Sequence, residues 1–553
     1  MINIGLDFGS TYTVTSVLSN GQPKAVLLSQ TAATPFIPTV VSKNKKGQYE
    51  YGIIARKRAE RSNIQIFKAF KMLLSETNPE ILKERGFEGE DQPEEISRRY
   101  LEKTLGECLK ACGEEEIGNL VVGVPEIWYE QLAGIDCCTK IRDICKSLPF
   151  VHEVQVVSEP AAASAYFVWN YKLSRKEDFK GHILLIDYGG GTLDITLNEV
   201  TCEDGETSIQ VKDRTGAGEN EEGRIGKAGI VFMESVTAEA IQKQMGEEPK
   251  TDEKFYKAVY SFEEELQSRS AEVEEFYEQN TLLPLETLEE EFTLLEYMGE
   301  EVEVSYGLMY QVYQKVIAGV LDEKLGEIIS YMEKHGIDYR NSQQEGFKIA
   351  MAGGFSNFYL VRRQIKQRFG FTSQDRRLDG IIKERTDCEN AIAFGAALIA
   401  EQKITIPERA PYAIGIYTEN SDQAFSYAVK YREKIECGKV YYLKNPKDQK
   451  ERIFMGSRIR QFVVNPSEDD RRGIVIAPSR KYQEKLEIGD LFSKNGIQTF
   501  AIGFSWDHSM VLSLHIKEFQ YLTGEFTGRE KSIELSRLSD LFDLVELENT
   551  AHG

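Results

Sequence analysis

Long apolar runs are missing from this chain of 553 residues, and so is any excess of positive charge. No apolar stretch approaches the roughly 20 residues that cross a bilayer, and no basic region followed by an apolar run stands at the N-terminus. The net charge of −22 argues against nucleic acid and against an anionic membrane surface as partners. We therefore expect a cytoplasmic protein that binds neither of them.

Metal-binding and P-loop motifs are also missing. The eight cysteines and six histidines show no metal-ligand spacing, although five of the cysteines lie between Cys108 and Cys145. Cys137 and Cys138 would project from different faces of a helix predicted over residues 129–147, so buried structural thiols are the favoured interpretation. Lys227 is followed by Ala228 and lacks the upstream glycine of a P-loop.

Two short stretches carry most of the information in the chain. Residues 5–12 (GLDFGSTY) and 187–194 (DYGGGTLD) each join two apolar strands through small residues. Small residues let backbone N–H groups close around a phosphate, because no Cβ stands in the way. Each stretch also carries acidic residues, and a carboxylate beside a phosphate implies a bridging Mg²⁺ that is held through its waters. The sequence therefore predicts a nucleotide clamp that is built twice.

A third glycine-rich turn supports this interpretation. An apolar strand over 347–351 leads through Gly353 and Gly354 into a helix predicted over 357–369. Glycines at such a turn let a base or a ribose approach the backbone closely. A single turn of this kind is usually only a change of chain direction. Three of them in this order favour a nucleotide site.

The order of these motifs resembles the heat-shock protein 70 branch of the actin, sugar-kinase and heat-shock protein 70 superfamily, in a divergent, bacterial-type form. Residues 121–125 (VVGVP) resemble the strand that ends in the family's switch proline. Residues 158–163 (SEPAAA) and 387–397 resemble its two connecting segments. The resemblance is specific over residues 1–400 and fainter beyond them.

The resemblance implies an α/β fold with two domains. A two-lobed, actin-like ATPase domain with ribonuclease H-like lobes is expected over 1–402, and a linker over 403–410. A β-sandwich-like, peptide-binding domain is expected over 411–553. Residues 227–335 are predicted to be helical, with the strongest helix over 309–332. A short helix is predicted over 536–547, and the helical lid of the family is expected to be absent.

The resemblance also assigns cofactors and residues, with ATP or ADP and Mg²⁺ as the expected ligands. Asp7 and Asp194 are expected to hold the waters of the metal ion. The residues expected to contact the β-phosphate are Gly9, Ser10, Thr11 and Tyr12. Those expected to contact the β- and γ-phosphates are Gly189, Gly190, Gly191 and Thr192. The residues expected to bind the adenosine part of the nucleotide are Gly353, Gly354, Phe355 and Glu389. The catalytic set is Asp7, Lys71, Glu159, Asp187, Thr192 and Asp194, with Lys68 as a competitor for the place of Lys71.

Some positions depart from the family pattern. Asn357 stands where the family has an arginine that stacks on the base, and no lysine stands at the matching place in 263–270. Base preference is therefore predicted to be relaxed. The favoured function is slow ATP hydrolysis that biases a β-domain toward unfolded polypeptide or a specific client. An actin-like filament or scaffold, a small-molecule kinase with Asp187 as its base, and an ATP clamp without turnover stay open, as does the oligomeric state.

Overall fold

The computed structural model describes residues 1–545, except for 29–33, 59–63, 77, 130–131, 204–205, 218–227, 251–252, 372–374, 376, 378–384, 407–409, 411, 418–424, 432, 446–449, 452, 456–461, 466–473, 479–497, 507–511 and 536–541. The chain divides into two units. The first comprises residues 1–123 with 157–406, and the second comprises residues 124–156 with 407–553.

The first unit begins with a mixed sheet around its first strand. The elements up to the first crossing between the units are β1 (Ile2–Phe8), β2 (Tyr12–Ser19), β3 (Gln22–Ala25), β4 (Ile37–Pro38), β5 (Val40–Lys43), β6 (Tyr49–Tyr51), α1 (Gly52–Arg58), β7 (Gln65–Lys68), α2 (Pro79–Glu84), α3 (Pro93–Cys112) and β8 (Ile117–Val124). Strand β1 pairs antiparallel with β2 and parallel with β8, while β2 also pairs with β3 and β4. We call this part of the unit the first lobe.

A hairpin turn at 19–21 joins β2 to β3. Asn20 and Gly21 have φ values of 53° and 76°, and Ser19 pairs with Gln22 across the turn. Two consecutive positive φ values match the twist of the flanking strands, and Asn-Gly is the dipeptide that adopts them at least cost.

A second sheet forms what we call the second lobe. After α4 (Leu132–Lys146) and β9 (Val151–Ser158), the elements are α5 (Glu159–Arg175), β10 (Gly181–Tyr188), β11 (Leu193–Glu203), β12 (Glu206–Ala217), α6 (Gly229–Met245), α7 (Glu253–Ser268), α8 (Ser270–Gln279), β13 (Glu291–Tyr297), β14 (Glu300–Ser305), α9 (Tyr306–Tyr313), α10 (Gly319–Lys334), β15 (Phe347–Ala352), α11 (Tyr359–Phe369) and α12 (Arg385–Ala400). The sheet order is β12-β11-β10-β15. Its β10 and β15 run parallel, as β1 and β8 do in the first lobe.

The helix predicted over 309–332 is present but contains one irregular segment. Helices α9 and α10 are joined by a π-helical segment, Gln314–Ala318. Ile317 is fully buried there, whereas Val316 and Val320 are only partly buried. The wider turn rotates the chain so that Ile317 replaces Val316 on the face toward the core.

The all-helical prediction for 227–335 is wrong over residues 291–305. There β13 and β14 form an antiparallel hairpin whose turn carries positive φ at Met298 (57°) and Gly299 (87°). Buried residues alternate with exposed ones along β14, where Val302 and Val304 point inward between glutamates. The abundant glutamates suggested a helix, but burial that alternates every second residue is typical of a strand.

The second unit ends in two antiparallel sheets. Its strands are β16 (Ala413–Tyr417), β17 (Phe425–Val429), β18 (Tyr441–Tyr442), β19 (Ile453–Met455), β20 (Phe462–Asn465), β21 (Ile474–Pro478), β22 (Gln498–Trp506), β23 (Leu512–Gln520), β24 (Phe526–Leu535) and β25 (Phe542–Val545). One sheet has the order β17-β16-β20-β21-β25, and the other has β18-β22-β23-β24 with β19 on β22. Ile414 and Val464 of the first sheet share a buried core with Phe504 and Leu514 of the second, so this part of the chain is a β-sandwich.

Strands β22 and β23 form an antiparallel hairpin whose pairs run from Gln498↔Gln520 to Trp506↔Leu512. The short helix predicted over 536–547 is wrong at Phe542–Val545, which pairs with β21 as a strand. The rest of that predicted helix lies outside the described residues. Within the part of the chain that the structure describes, no helix combines the length and apolarity that a membrane crossing needs.

Candidate functional site

The first predicted phosphate turn connects β1 to β2. A Cβ at Gly9 would lie 2.3 Å from the carbonyl oxygen of Tyr12, so glycine is required there. Thr39 fixes the turn, because its N–H donates to the Thr11 carbonyl at 2.8 Å and its hydroxyl donates to the Gly9 carbonyl at 2.8 Å. Sequence reasoning missed Thr39, which carries no signal of its own beyond its place after a short strand. Asp7 lies two residues before the turn, near the end of β1.

The second predicted phosphate turn connects β10 to β11 as a tight hairpin. Asp187 and Asp194 are partners in the ladder, and the Gly189 N–H donates to the Thr192 carbonyl at 3.0 Å. The two aspartates therefore flank the glycines on neighbouring strands. The hairpin places both carboxylates at the edge of the sheet where the turn begins.

The N-terminus of α6 lies against this second turn. The N–H groups of Gly229 and Ile230 donate to the carbonyls of Gly189 and Gly190 at 3.3 and 2.8 Å. A helix N-terminus has a partial positive charge that favours a neighbouring phosphate. Sequence reasoning missed this helix as a candidate part of the phosphate site. The available signal was the pair of small residues, Ala228 and Gly229, before an apolar run.

The two turns meet each other. A Cβ at Gly190 would lie 2.4 Å from the Thr11 hydroxyl oxygen, and one at Gly191 would lie 3.8 Å from the Ser10 Cβ. Glycine at 190 thus permits a close approach that any other residue would prevent. The two lobes therefore lie directly against each other at the two turns for which the sequence predicts a nucleotide clamp.

Behind the turns lies a buried ion pair. Lys71 Nζ is 2.6 Å from Glu159 Oε1, and the two residues are 2% and 9% exposed. Glu159 is placed by the start of α5, where the Ser158 side chain caps the helix by accepting from the Ala161 N–H. Lys71 immediately precedes a 3₁₀ turn at 72–74.

Asp7 and Asp187 share this environment. Burial is the main cause that raises the pKa of Asp7 to about 7. The Glu159 carboxylate also raises this pKa, and the Lys71 ammonium lowers it. Burial also raises the pKa of Asp187 well above its usual range, and Glu159, Asp194 and Asp7 add to the effect. Crowded carboxylates with little access to water hold their charge poorly unless a cation joins them.

A divalent cation fits this cluster. Its donor set is made of carboxylates, which are the ligands that Mg²⁺ prefers. Among the described residues, no group of three histidine, cysteine or acidic side chains lies close enough to hold a metal ion directly. Mg²⁺ usually keeps several of its waters, and Asp7 and Asp194 would be the residues that hold them.

The side chain of Tyr12 points away from the turn and bridges the two lobes. Arg56 Nη1 donates to the Tyr12 hydroxyl at 2.7 Å, and that hydroxyl donates to Glu263 Oε1 at 3.1 Å. Arg56 Nη2 lies 3.4 Å from Glu263 Oε2. Arg56 belongs to α1 and Glu263 to α7, so the contact closes the cleft between first and second lobes.

Lys68 lies in the same bridge and away from the carboxylate cluster. Its Nζ is 4.5 Å from the ring centroid of Tyr256 and 4.7 Å from that of Tyr260. Burial lowers its pKa to about 8, with Glu234 opposing the change. The Arg56 guanidinium is 4.5 Å from the Tyr260 centroid. We refer to this cross-lobe set as the latch: Tyr12, Arg56, Lys68, Tyr256, Tyr260 and Glu263.

The third predicted turn approaches the second one closely. Gly353 has φ 78°, and a Cβ there would lie 2.5 Å from Asp187 Oδ1 and 2.6 Å from the Tyr188 carbonyl oxygen. Glycine is thus required both by conformation and by space. Gly354, by contrast, has open space around its Cβ position.

The residues after this turn face two directions. The ring of Phe355 is buried and packs on Tyr188 and Phe232 at centroid distances of 5.0 and 5.5 Å, so only its backbone faces the turn. Asn357 Nδ2 donates to Glu389 Oε1 of α12 at 3.0 Å. Asn357, which stands where the family has an arginine, is thus hydrogen-bonded to Glu389.

Helix α12 touches both β1 and α5 through glycines. A Cβ at Gly5 would lie 2.1 Å from the Ala397 nitrogen, and one at Gly395 would lie 1.7 Å from the Ala162 carbonyl oxygen. These backbone contacts place the start of α5, with Glu159, beside the strand that carries Asp7.

Two facing lobes, each with a glycine-containing turn and an aspartate, define a two-lobed, actin-like nucleotide-binding fold. A model of the Hsp70 protein family matches residues 3–405, and the chain belongs to that family. The chaperone protein DnaK of Nitrosopumilus maritimus is 29% identical over 199 residues, which are 36% of this chain and 29% of that protein.

Two further relatives are similar over a stretch of comparable length. The chaperone protein dnaK of Phaeodactylum tricornutum is 26% identical over 219 residues, covering 36% of this chain and 33% of that protein. That of Emiliania huxleyi is 27% identical over 217 residues, covering 36% and 32%. The chain spans about a third of the length of the curated relatives it matches.

Proposed function

We propose that this chain binds ATP with Mg²⁺ and hydrolyses it slowly, as a chaperone-like protein whose nucleotide state acts on its β-sandwich. The contact between Gly190 and Thr11 carries the proposal, because it brings the two phosphate turns together in front of a buried group of carboxylates. Phosphoryl transfer of this kind depends on positioning and on neutralisation of charge. The latch adds a physical reason for slow release of a bound nucleotide.

The phosphate contacts follow from the two turns. We assign the β-phosphate to the first turn and the β- and γ-phosphates to the second, with these residues: Gly9, Ser10, Thr11, Tyr12, Gly189, Gly190, Gly191 and Thr192. Tyr12 would contribute its backbone, since its hydroxyl belongs to the latch. Asp7 and Asp194 would hold the waters of the metal ion, and bound Mg²⁺ would neutralise the charge on the phosphate oxygens.

The attacking water needs groups that orient it. Asp187 and Glu159 would accept its hydrogen bonds, Lys71 would donate one, and Thr192 would contact the phosphate that is attacked. The Lys71–Glu159 pair is fixed at 2.6 Å, so both groups are positioned before a substrate arrives. The burial of Lys71, Glu159 and Asp187 strengthens their electrostatic contacts.

The nucleoside end is recognised less strictly in this proposal. Gly353, Gly354 and the backbone of Phe355 would approach the nucleoside, and Glu389 would accept from a ribose hydroxyl. Asn357 is a neutral amide that is held by Glu389, so it offers no cation for stacking on a base. We expect weak discrimination among nucleoside triphosphates.

The role of the second domain is proposed from the family. The relatives are named as chaperones, and we propose an ATPase domain over 1–402, a linker over 403–410 and a polypeptide-contacting domain over 411–553. Unfolded polypeptide or a specific client would be its partner. The cytoplasmic location stays a prediction.

Single-turnover hydrolysis of Mg·ATP by the full chain, with and without an unfolded polypeptide, tests the proposal. We expect slow turnover that rises with polypeptide and disappears in Asp194→Asn while the circular dichroism spectrum is retained. Asp338→Asn is the matched control, because the Asp338 carboxylate is exposed. Among the described residues, it accepts hydrogen bonds only from nearby backbone N–H groups, and an asparagine can accept the same bonds. Unchanged turnover in Asp194→Asn would overturn the mechanism, and tight binding without turnover would indicate a clamp.

A further inference from the structure

The carbonyl groups of the first phosphate turn are held from behind by one buried threonine. Thr39 is 1% exposed. Its hydroxyl donates to the Gly9 carbonyl and its N–H donates to the Thr11 carbonyl, both at 2.8 Å. The C=O and N–H of a trans peptide group point in opposite directions. The N–H groups of Ser10 and Tyr12, which belong to the same two peptide groups, therefore point away from Thr39.

A second hydroxyl fixes the orientation of the first. Thr13 Oγ1 and Thr39 Oγ1 are 2.9 Å apart. A hydroxyl carries one hydrogen, and Thr39 gives its hydrogen to the Gly9 carbonyl, so Thr13 is the donor to Thr39. Thr13 is 0% exposed. The Thr39 hydroxyl thus accepts one hydrogen bond and donates another, which fixes its rotation.

Helix α3 holds the same threonine through its peptide group. Tyr100 Oη lies 3.1 Å from the Pro38 carbonyl oxygen and 3.4 Å from that of Ile37, so its shorter contact is with Pro38. The Pro38 carbonyl shares a peptide group with the Thr39 N–H. This one peptide group therefore accepts a hydrogen bond from α3 and donates another to the turn. Hydrogen bonds that are linked in this way polarise and strengthen one another.

The Tyr100 ring packs on the neighbours of two predicted catalytic residues. Its centroid is 6.0 Å from that of Phe8 and 5.5 Å from that of Phe70. Phe8 follows Asp7 in the chain, and Phe70 precedes Lys71. Tyr100 is 0% exposed. It therefore joins the core beneath these two charged residues to the hydrogen bonds that hold the turn.

We propose that three buried hydroxyls position the N–H groups of Ser10 and Tyr12 for a β-phosphate. The three residues are Thr13, Thr39 and Tyr100, and we call them the hydroxyl brace. They are positioning residues, because they act through the backbone of the turn and do not touch the ligand. The inference rests on the proposed function, which assigns the β-phosphate to this turn.

The brace has a physical advantage for a phosphate site. A backbone N–H has no rotamer of its own, so its direction depends on what holds the carbonyl of the same peptide group. Donors that are fixed before the ligand arrives need no reorganisation when it binds. ATP and ADP carry a β-phosphate, whereas AMP does not. The brace should therefore affect the binding of ATP and ADP and leave the binding of AMP unchanged.

The test measures the affinity of the full-length protein for Mg·ADP by isothermal titration calorimetry. Thr39→Val keeps the shape of the side chain but removes its hydroxyl, and it should weaken ADP binding about 10-fold. Thr39→Ser keeps the hydroxyl and should stay within about twofold of the unsubstituted chain. Tyr100→Phe keeps the ring packing, loses one hydrogen bond and should weaken ADP binding about threefold.

Two comparisons separate positioning from a general loss of structure. Thr237→Val is the matched control, because Thr237 is a fully buried threonine of α6 whose hydroxyl has no hydrogen-bond partner among the described residues. This variant should leave the affinity for ADP unchanged. The affinity for AMP should be the same in every variant. An equal loss for AMP and ADP in Thr39→Val would show that the brace only supports the fold.

The outcomes distinguish this inference from the proposed function. Equal ADP affinities of Thr39→Val and Thr39→Ser would overturn the inference and leave the proposed function intact. If the unsubstituted chain binds no ADP, the proposed function fails and the inference fails with it. If Thr39→Val does not fold, Tyr100→Phe decides the matter, because an ADP affinity equal to that of Thr237→Val would overturn the inference and a weaker one would support it.

Discussion

Lys71 and Glu159 form an ion pair at 2.6 Å that is buried beneath both phosphate turns. The pair joins a segment just before a 3₁₀ turn of the first lobe to the first residue of α5. A buried ion pair is poor evidence for stability, because desolvation offsets the attraction. Its position next to Asp7 and Asp187 supports the role in hydrolysis that we propose for it.

The two candidate lysines can be separated by substitution. Lys71→Met should lower single-turnover hydrolysis by about 100-fold or more, as loss of an electrostatic contact to a transition state commonly does, while nucleotide still binds. Lys68→Met removes a latch contact and should leave the chemical step within about threefold of the unsubstituted rate. A larger loss of the chemical step in Lys68→Met than in Lys71→Met would reverse the assignment.

The latch predicts an effect on nucleotide release. Arg56→Ala removes the bond to the Tyr12 hydroxyl, the ion pair with Glu263 and the contact with the Tyr260 ring. These partly buried contacts are together worth about 1–2 kcal/mol, which corresponds to release about 5–30 times faster. A fluorescent ATP analogue chased with unlabelled ATP gives the rate by stopped flow.

Arg58→Ala is the control for this measurement. Arg58 also lies on α1, and its ion pair joins it to Glu50 within the first lobe at 2.6 Å. It should leave release unchanged. Equal rates in both variants would show that the latch does not limit dissociation.

The raised pKa of Asp7 predicts a pH dependence of stability in the ligand-free protein. Its ordinary pKa of 3.8 rises to about 7 in the folded chain, chiefly through burial. The folded state therefore binds this proton more tightly, and the stability that it contributes is lost as the pH rises through about 7. One proton gives a slope of at most about 1.4 kcal/mol per pH unit.

Calorimetry in the presence of EDTA checks this prediction. Asp7→Asn should flatten the fall of the melting temperature between about pH 4 and pH 7, and it should melt higher than the unsubstituted protein above about pH 7. Asp338→Asn should leave the profile unchanged. Parallel profiles for Asp7→Asn and the unsubstituted chain would contradict the assignment.

Two glycine substitutions test the packing of α12. Gly395→Ala would place a Cβ 1.7 Å from the Ala162 carbonyl oxygen, and because the obstacle is backbone, we expect a loss of about 3 kcal/mol of stability. Gly106→Ala in α3 meets nothing within 4 Å, and alanine favours a helix by about 0.5–1 kcal/mol over glycine. Urea unfolding should therefore move the two midpoints in opposite directions. A stable Gly395→Ala variant would show that α12 can shift away from α5.

Much of the site could be predicted because local chemistry fixes it. A Cβ at Gly190 or at Gly353 would lie 2.4 or 2.5 Å from a neighbouring side-chain oxygen, and the acidic residues beside these glycines are visible in the sequence. The β-sandwich was implied by the family resemblance, while the apolar and polar residues of β22 and β23 alternate visibly in the sequence. These features depend on a few neighbouring residues, which a sequence displays directly.

Features that depend on distant partners could not be predicted. Arg56 and Glu263 are far apart in the chain, and nothing in either neighbourhood indicates that they meet across the cleft. The hairpin of β13 and β14 was missed because its glutamates outweighed the two-residue alternation of Val302 and Val304. The strand Phe542–Val545 was missed because its conformation is fixed by pairing with β21, which overrides its local preference.

The glycine contacts of α12 have a mechanical consequence. At Gly5 and Gly395, the helix meets β1 and α5 through bare backbone, without a side chain between them. Such a contact sets the separation of the two elements tightly, but it contains no rotamers that must rearrange when their crossing angle changes. The helix therefore sets the distance between β1 and α5, while no interlocked side chains at these two contacts fix their crossing angle.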